Sequence, residues 1–385
     1  MSLRSSSVRY VTDTCNQHTK EPYHAMEPVI QLQPILAAQA KHGPIFRREL
    51  FDVAYAAYKS IDEGDANEIA HRKLDSSSFF TDQEVLLHDL WGNEHPKSIL
   101  REGIETREDD VIRHKRNWLY NSLQRLGRAY GHNSAKDKRY TLSLLPFDFG
   151  TRSFPIEEHN PSVETVPQET LNQWAAQWET SELRSRLSSF FQGEARRQLQ
   201  HIDQIICFGL GRPLEVSPWP AAACRAYQQH LAACTIRDLI AHTPGCTAPT
   251  VFAQDPEYSA AEKTYLSEQL NINVLDDPEG FKALTGNTFV ITVSPNVAVR
   301  QISVDMTHED GGPAGFLCQE IISDGLECDG VGLRDAKDWK SCLYSTCPPS
   351  PALWEYKQKS IRMEYDDTDG LGAFGKMGVY MKSPD

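Results

Sequence analysis

Short apolar runs alternate with longer amphipathic stretches in the middle of the chain. The runs DQIICFGL, PTVFAQDP, NINVLDDP and NTFVITVSPN are predicted strands. Helices are predicted after the first three, in WPAAACRAYQQHLAACTIRDLIAHT, SAAEKTYLSEQL and EGFKALT. Residues 205–208 and 289–291 are apolar on both faces, as the buried strands of a parallel sheet are. This alternation predicts a parallel sheet with right-handed crossovers.

The rest of the chain divides into three predicted regions around this core. Residues 1–44 are polar and unpatterned, which indicates a loosely ordered N-terminus. Residues 45–168 are predicted to form a mainly helical extension, and the core spans 169–310, opening with one helix in ETLNQWAAQWETSELRSRLSSFFQ. Residues 311–385 are predicted to hold C-terminal helices and a tail. The predicted fold class is α/β, a Rossmann-like parallel sheet core with a mainly helical N-terminal extension.

Individual elements of the two outer regions follow from local patterns. Helices are predicted in PIFRRELFDVAYAAYKSIDEG, in TDQEVLLHDLWG and over about 110–126. RYTLSLLPFDFG is predicted to be a short strand or extended arm, and 151–168 a linker. Near the C-terminus, helices are predicted in GGPAGFLCQEIISDG and SPALWEYKQKSIRMEY, and the glycine-rich TDGLGAFGKMGVY is predicted to be an unpatterned tail.

Composition favours a cytoplasmic protein. Of the 385 residues, 40% are hydrophobic and 24% are charged, which is ordinary for a globular chain. There is no apolar run long enough for a bilayer, and residues 1–25 lack the apolar centre of a secretory signal. The nine cysteines include no C-x-x-C pair, which argues against a zinc knuckle and favours reduced thiols. No metal site is predicted.

The net charge of −14 argues against a protein that coats nucleic acid, but one segment reverses the sign. Residues 111–140 carry eight lysines and arginines against the single acidic Asp137, with tryptophan and tyrosine between them. Basic groups interleaved with aromatic rings suit phosphates and unstacked bases. The alternative is a solvated helix face whose apolar residues pack inward. The candidate nucleic-acid-binding residues in this segment are Arg113, Lys115, Arg116, Arg125 and Arg128.

Polar and glycine residues follow each predicted strand of the core, at the edge where open α/β sheets bind ligands. The candidates are Gly209 and Gly211 after the first strand, Asp255 after the second, Asp276, Asp277 and Glu279 after the third, and Ser294 and Asn296 after the fourth.

These strand-end residues admit structural as well as functional interpretations. The G-x-G pair lacks the third glycine of the dinucleotide fingerprint, and an insertion delays the next helix, so a nicotinamide cofactor is not expected. Asp255 either holds a ribose hydroxyl or caps a helix. The acidic run at 276–279 either attracts a cation or guanidinium, or begins a short helix. Ser294 lacks the G-x-S-x-G elbow of a hydrolase nucleophile.

Residues from about 178 to 299 resemble the SRR1-like domain family, named after the plant protein "sensitivity to red light reduced". The resemblance is carried by WETSELRSRLSSFF, IDQIICFGLG, AYQQHLAACTIRDLI, FAQDPEYSAAEKTYL, NVLDDPEGF and NTFVITVSPN, in that order and spacing. The chain departs from the family after the fourth strand, where Val293-Ser294-Pro295-Asn296 stands in place of Met-Pro-His-Cys. Any role of that His-Cys pair is therefore absent here.

The layout, with a long N-terminal extension and the motif DDPE at 276–279, is similar to a fungal branch of secondary metabolism, the arginine-containing cyclodipeptide synthases. This resemblance implies an enzyme that joins arginine from arginyl-tRNA to a second tRNA-borne residue as a diketopiperazine. The partners are then two charged tRNAs, and no cofactor is needed because the aminoacyl ester is already activated. The implied catalytic residues are Glu279 as base, Asp276, Asp277 and Ser294; Gly209, Gly211, Asp255 and Asn296 bind substrate.

Two alternatives stay open from the sequence. The wider family is described mainly through regulatory phenotypes, so a non-catalytic regulatory or interaction protein is the second hypothesis. A nucleotide-dependent oxidoreductase or methyltransferase is the third, although the shortened glycine loop does not favour its cofactor.

Overall fold

The computed structural model describes residues 31–60, 83–99, 103–106, 111–134, 143–155, 165–216, 220–323, 346–367, 370 and 372–383. Most of the predicted N-terminal tail therefore lies outside the described residues, as does the basic stretch at 135–140. Among the described helices, none is both long and apolar enough to cross a membrane.

The region before residue 168 is mixed α/β within its described part. Its elements are helices α1 (Gln33–His42) and α2 (Arg48–Ser60), a hairpin of β1 (Gln83–His88) and β2 (Glu94–Ile99), and an antiparallel sheet of β3 (Gly103–Thr106), β4 (Val111–Tyr120) and β5 (Phe147–Pro155), with α3 (Leu123–Ser134) between the last two strands. The predicted helix in PIFRRELFDVAYAAYKSIDEG is confirmed as α2.

Several predictions for this region are wrong. Helix α1 lies in a stretch expected to be loosely ordered, and its Ile35 and Ala38 are buried. The expected helix in TDQEVLLHDLWG is strand β1, and the one at 110–126 is strand β4 followed by the start of α3. Burial in β4 alternates with a period of two: Arg116, Trp118 and Tyr120 are buried, whereas Asn117 and Leu119 are half-buried. In its described part, the extension is therefore not mainly helical.

A seven-stranded sheet forms the centre of the rest of the chain. Its strands are β6 (Gln204–Phe208), β7 (Thr250–Gln254), β8 (Asn273–Val274), β9 (Thr288–Thr292), β10 (Gly315–Gln319), β11 (Ser360–Asp366) and β12 (Lys376–Lys382). Their order is β11-β12-β10-β9-β6-β7-β8. The five strands from β10 to β8 in this order are parallel, and β12 runs antiparallel to both of its neighbours. The predicted Rossmann-like core is confirmed.

The helices that cover the sheet match most of the predicted alternation. They are α4 (Gln168–Glu179), α5 (Glu182–Gln192), α6 (Pro220–Ala241), α7 (Ala260–Leu270), α8 (Glu279–Lys282), α9 (Val299–Met306) and α10 (Pro351–Gln358). The single helix expected from residue 169 is instead two, because Ser181 interrupts it and caps α5 by accepting a hydrogen bond from Arg184 N. Ser259 and Glu262 form a capping box at the start of α7.

The strands after residue 310 were not predicted. GGPAGFLCQEIISDG contains buried strand β10 instead of a helix, SPALWEYKQKSIRMEY holds helix α10 and strand β11, and the expected tail contains β12 inside the sheet. Gly315 lies in β10 because a Cβ there would lie 2.7 Å from the Phe289 ring and 2.8 Å from the Met381 sulfur. Glycine suggests a loop in the sequence, but at this position in the strand it is required because the neighbouring side chains pack so closely.

Two hydrophobic cores lie on opposite faces of the sheet. Ile205 and Cys207 of β6 belong to the core shared with α4 to α7, whereas Ile206 and Phe208 belong to the other. That second core also contains the buried apolar residues of α1, α2, β1, β4 and β5. The N-terminal region therefore packs on one face of the sheet, which brings β4 and α3 to the edge where ligands are expected.

Candidate functional site

A large cavity lies where the order of the parallel strands reverses. The chain runs from β6 outward to β7 and β8, and then crosses to β9 on the other side of β6. Such a reversal leaves a crevice outside the carboxyl ends of the two central strands. The cavity there has a volume of about 1060 Å³ and is lined by the loops after β6, β7, β8 and β9, by β4 and α3, by α6, and by the loop before β12.

The glycine pair after β6 shapes one wall of this cavity. Gly209 and Gly211 have φ angles of 62° and 79°, which only glycine adopts readily. Gly209 N donates to Gln254 O at 3.0 Å, and Gly211 N donates to Asp255 Oδ2 at 2.9 Å. Both amides are therefore engaged within the protein. The two glycines bring backbone close to the cavity, but their N–H groups are not directed at a ligand.

Asp255 holds the glycine loop from the neighbouring strand end. Its carboxylate accepts hydrogen bonds from Gly211 N and from Glu257 N, the latter at 3.0 Å. Burial raises the pKa of Asp255, while these two backbone donors act in the opposite direction. The helix-cap interpretation does not hold for this residue, since Ser259 caps the helix that follows. Asp255 lines the cavity and also fixes its shape.

The three carboxylates of the acidic run diverge. The Asp276 side chain is 82% exposed and pairs with Lys263 Nζ at 2.8 Å. Glu279 accepts a hydrogen bond from Tyr55 OH at 2.7 Å and lies 3.4 Å from Lys59 Nζ. Among the three, Asp277 lines the cavity. Their mutual repulsion is relieved by separate partners on separate elements.

Asp277 is held by two donors from different parts of the chain. Tyr120 OH donates to Asp277 Oδ1 at 2.6 Å, and Gln254 Nε2 donates to the same oxygen at 3.0 Å. Burial, with the Asp277 charge beside it, keeps the pKa of Tyr120 well above its usual range, so the hydroxyl keeps its proton. The Asp277 carboxylate is therefore fixed in orientation at the cavity surface.

Aromatic rings pack around the residues that hold Asp277. The Phe281 ring stacks on Phe208 at a centroid distance of 4.5 Å and lies 4.9 Å from the Tyr120 ring. Gln254 Oε1 accepts a hydrogen bond from Gly280 N at 2.6 Å. A Cβ at Gly280 would lie 2.7 Å from that same oxygen, so glycine is required there. The wall around Asp277 is thus densely packed.

Ser294 and Asn296 are exposed residues at the opposite side of the switch point and line the cavity. Ser294 has a φ of 50°, and its Oγ accepts a hydrogen bond from Gln319 Nε2 at 2.7 Å. A serine nucleophile needs a neighbouring base. Among the described residues that line the cavity there is no histidine, and no group of three metal-ligating side chains occurs in the described part of the chain.

The three basic candidates whose side chains are described do not share one surface. Arg125 is exposed on α3 and lines the cavity, whereas Arg128, exposed on the same helix, is not among the lining residues. Arg116 is 8% exposed, and its guanidinium lies 4.8 Å from the centre of the Tyr58 ring. Arg113 and Lys115 belong to β4, but their side chains lie outside the described residues.

Several residues that line the cavity are not among the site residues predicted from the sequence. They are Asn117, Trp118, Leu119 and Tyr120 of β4, Gln254 of β7, Arg225 and Gln229 of α6, and Lys376 of β12. Gln254 had a usable signal, since it directly precedes Asp255 at a strand end. The others are far from the strand-end residues in sequence and are brought to them only by the fold.

Comparisons with known proteins give one family and one weak structural likeness. A family model described as the SRR1 domain matches residues 168–380. No curated protein matches the sequence. Phosphoethanolamine N-methyltransferase 2 of Haemonchus contortus, solved with phosphomonomethylethanolamine and S-adenosylhomocysteine, is 9% identical with a TM-score of 0.24. That alignment covers 73% of this chain and 71% of the other, and at this score it supports no conclusion on activity.

Proposed function

The chain belongs to the SRR1 domain family, and from that premise we propose that its cavity joins arginine from arginyl-tRNA to a second tRNA-borne amino acid as a diketopiperazine. The observation that carries the proposal is Asp277, a carboxylate held in one orientation at the surface of the switch-point cavity. Family membership by itself specifies no reaction, so the proposal depends on this site.

Asp277 suits a guanidinium ligand. The planar fork of arginine pairs with carboxylates through two parallel hydrogen bonds, which gives orientation as well as affinity. The bonds from Tyr120 and Gln254 both go to Asp277 Oδ1. These two donors are neutral, so they orient the carboxylate without neutralising its charge. Asp255 and Glu257 add two more carboxyl groups to the lining of the cavity.

The size of the cavity suits a reaction between two substrates. Small-molecule sites usually measure about 300–1,000 Å³. At about 1060 Å³, this one is slightly larger than that range. A single amino acid would leave most of it filled with water. Two aminoacyl groups, or one with its terminal adenosine, use the space better.

The chemistry requires positioning more than activation. The amine of one aminoacyl ester attacks the carbonyl of the other, a C–N bond forms, the C–O bond to the ribose breaks, and one tRNA leaves. The amine of the resulting dipeptidyl ester then attacks its own ester carbonyl, which closes the six-membered ring and releases the second tRNA. In each step one proton passes from the amine to the leaving ribose oxygen. Holding both esters together supplies much of the rate.

Direct attack between the two esters is the simpler route at this site. Ser294 accepts a hydrogen bond from the neutral amide of Gln319, and the described cavity residues offer it no imidazole base. We therefore assign Ser294 to hydrogen bonding with substrate. Replacing Ser294 with alanine is expected to reduce product formation without abolishing it, as quantified by mass spectrometry.

The test is a reaction of the purified chain with tRNA charged with arginine and a mixture of other amino acids. Mass spectrometry is expected to detect a diketopiperazine that contains arginine. Asp277→Asn should lower its rate by about 10- to 150-fold, since a charge-assisted hydrogen bond contributes about 1.5–3 kcal/mol. Asp276→Asn is the matched control, because Asp276 is adjacent but pairs with Lys263 outside the cavity.

Two results would contradict the proposal. If folded wild-type protein forms no product with any charged tRNA, the proposed enzymatic activity is contradicted and a regulatory protein is favoured. Equal losses of rate in the Asp277 and Asp276 variants would contradict the assignment of Asp277 as the arginine ligand. The two side chains carry the same charge and differ only in position, so an equal effect would not depend on the cavity.

The strand order favours a second candidate, a nucleoside-bearing cofactor in the same cavity. The parallel strands β8-β7-β6-β9-β10 follow the order of the first five strands in the classic dinucleotide-binding fold. Asp255 follows the second of these strands, where an acidic residue holds a ribose hydroxyl. Its two backbone bonds oppose this candidate. A rise in melting temperature with NAD, NADP or S-adenosylmethionine would favour it, because a ligand that binds the folded state stabilises it.

A further inference from the structure

Three cationic side chains that line the cavity make no hydrogen bond or ion pair within the described part of the chain. They are Arg125 of α3, Arg225 of α6 and Lys376 of β12, and all three are exposed. A fourth cation of the cavity, Arg212, differs from them. It pairs with Glu262 at 3.0 Å and with Glu215 at 2.8 Å.

The acidic groups of the same cavity are engaged. Asp255 accepts two backbone hydrogen bonds, and Asp277 accepts those of Tyr120 and Gln254. The protein as a whole carries a net charge of −14, so carboxylates are plentiful as partners for exposed cations. Three cations that line one cavity without an acidic partner among the described residues are therefore unexpected in this chain. They indicate that the cavity binds an anionic group of a ligand.

The fold holds these cations on two sides of the cavity. Arg225 lies one helical turn before Gln229 on α6. Gln229 Nε2 donates to Ala373 O at 2.7 Å, and Lys376 follows three residues later, so Arg225 and Lys376 belong to one joined wall. Arg125 comes from the N-terminal region, whose neighbouring Gln124 is anchored to Pro349 O at 2.8 Å.

We infer that Arg125, Arg225 and Lys376 form a phosphate subsite that receives the 3′-terminal phosphodiesters of a tRNA. Arginine and lysine are the usual protein partners of phosphate oxygens. The identification of the phosphate source as tRNA rests on the proposed function, whereas the phosphate chemistry rests on the unpaired cations alone. A ligand with a cationic end at half-buried Asp277 and anionic groups at this exposed rim has the charge distribution of an arginyl-tRNA terminus.

The test measures binding and does not need product formation. A fluorescent RNA hairpin with an uncharged CCA end is titrated with the full chain at several salt concentrations between about 50 and 300 mM, where phosphate contacts are resolved by their salt dependence. The triple variant R125Q/R225Q/K376Q is expected to bind more weakly. Its slope of log K against log salt should be smaller by about 2, because each lost contact to a single strand removes about 0.7.

Arg197→Gln is the matched control. Arg197 is exposed, carries the same charge and lies outside the residues that line the cavity, so affinity and salt slope should match those of the wild type. The three replaced side chains are exposed and make no hydrogen bond or ion pair within the described residues, so the melting temperature of the triple variant should be unchanged. ATP is titrated in parallel as a free source of phosphate.

The outcomes separate the two proposals. Unchanged affinity and slope in the triple variant, or a wild-type protein that binds neither probe, would overturn the subsite. Binding of ATP but not of the hairpin, with the same dependence on the three cations, would overturn its assignment to tRNA. Hairpin binding that depends on the three cations, without formation of any diketopiperazine, would support the phosphate subsite and contradict the proposed synthase activity. Formation of product, with a salt slope that is unchanged in the triple variant, would support the synthase activity and contradict the subsite.

Discussion

A buried carboxyl group connects the N-terminal region to the core and makes stability depend on pH. Asp305 of α9 is 1% exposed, and its Oδ2 accepts a hydrogen bond from Phe46 N at 3.2 Å. Phe46 lies just before α2, and the packing of that region places β4 and α3 beside the cavity. Replacing Asp305 with asparagine keeps an acceptor for Phe46 N and removes the ionisation.

The magnitude follows from the pKa of this group. Burial raises the pKa of Asp305 from 3.8 to about 7, although the backbone amides of Phe46 and Ile45 act against the shift. Since the folded-state pKa is above the unfolded one, the folded protein holds the proton more tightly. This stabilisation is complete below about pH 4 and is lost as the pH rises to about 7. This difference between the folded-state and unfolded-state pKa corresponds to about 4 kcal/mol of stability.

Urea unfolding of the wild type and of Asp305→Asn at pH values from about 4 to 8 measures this effect. The wild-type free energy of unfolding minus that of the variant should fall by about 1.4 kcal/mol per pH unit within this window, up to about 4 kcal/mol. Taking the difference removes the contribution of every other titrating group. Asp305→Leu is the companion variant, and at low pH it should be less stable than the asparagine variant by about 1–3 kcal/mol because Phe46 N loses its acceptor.

Parallel pH profiles for the wild type and Asp305→Asn would refute this reasoning. They would mean that Asp305 is solvated in the folded protein, and hence that the N-terminal region does not cover it. The contribution of β4 to the cavity would then need to be reconsidered.

Three further variants test the packing of the site. Tyr120→Phe removes the hydroxyl that orients Asp277, and we expect losses of about 1.5–3 kcal/mol in urea unfolding and a matching drop in product by mass spectrometry, whereas an unchanged rate would contradict the positioning role. Gly209→Ala should cost about 1–2 kcal/mol in unfolding free energy because its φ of 62° is left-handed, and a neutral effect would exclude that strain. Phe281→Ala empties a site that is 1% exposed and stacked on Phe208, so unfolding should become easier by about 3–5 kcal/mol, and a loss below 1 kcal/mol would contradict the packing.

The central strands could be predicted because their environment leaves a local signal. β6 and β9 are covered on both faces, so their residues 205–208 and 289–291 form uninterrupted apolar runs. β10 and β12 have the same kind of environment but include Gly315 and Gly378, which suggest loops. Both glycines are explained by nearby rings, Phe289 for the first and Tyr380 for the second. Phe289 belongs to the neighbouring strand, so its contact depends on the tertiary structure, whereas Tyr380 lies two residues after Gly378 in the same strand.

The site was only partly predictable for the same reason. Gly209, Gly211, Asp255 and Asp277 follow strands, and the rule that ligands bind at strand ends found them. Tyr120 lies 157 residues from Asp277 in sequence, so no local pattern connects the two. The sequence also could not predict that the side chains of Asp276, Asp277 and Glu279 point to different partners, because those partners lie on α7, β4 and α2.

The most direct measurement is a structure of the protein with a non-hydrolysable arginyl-adenosine, in which an amide replaces the aminoacyl ester. The proposed function predicts that the guanidinium lies within hydrogen-bond distance of the Asp277 carboxylate and that the adenosine lies inside the switch-point cavity. An arginine side chain bound elsewhere, or a cavity that stays empty at saturating analogue, would contradict it.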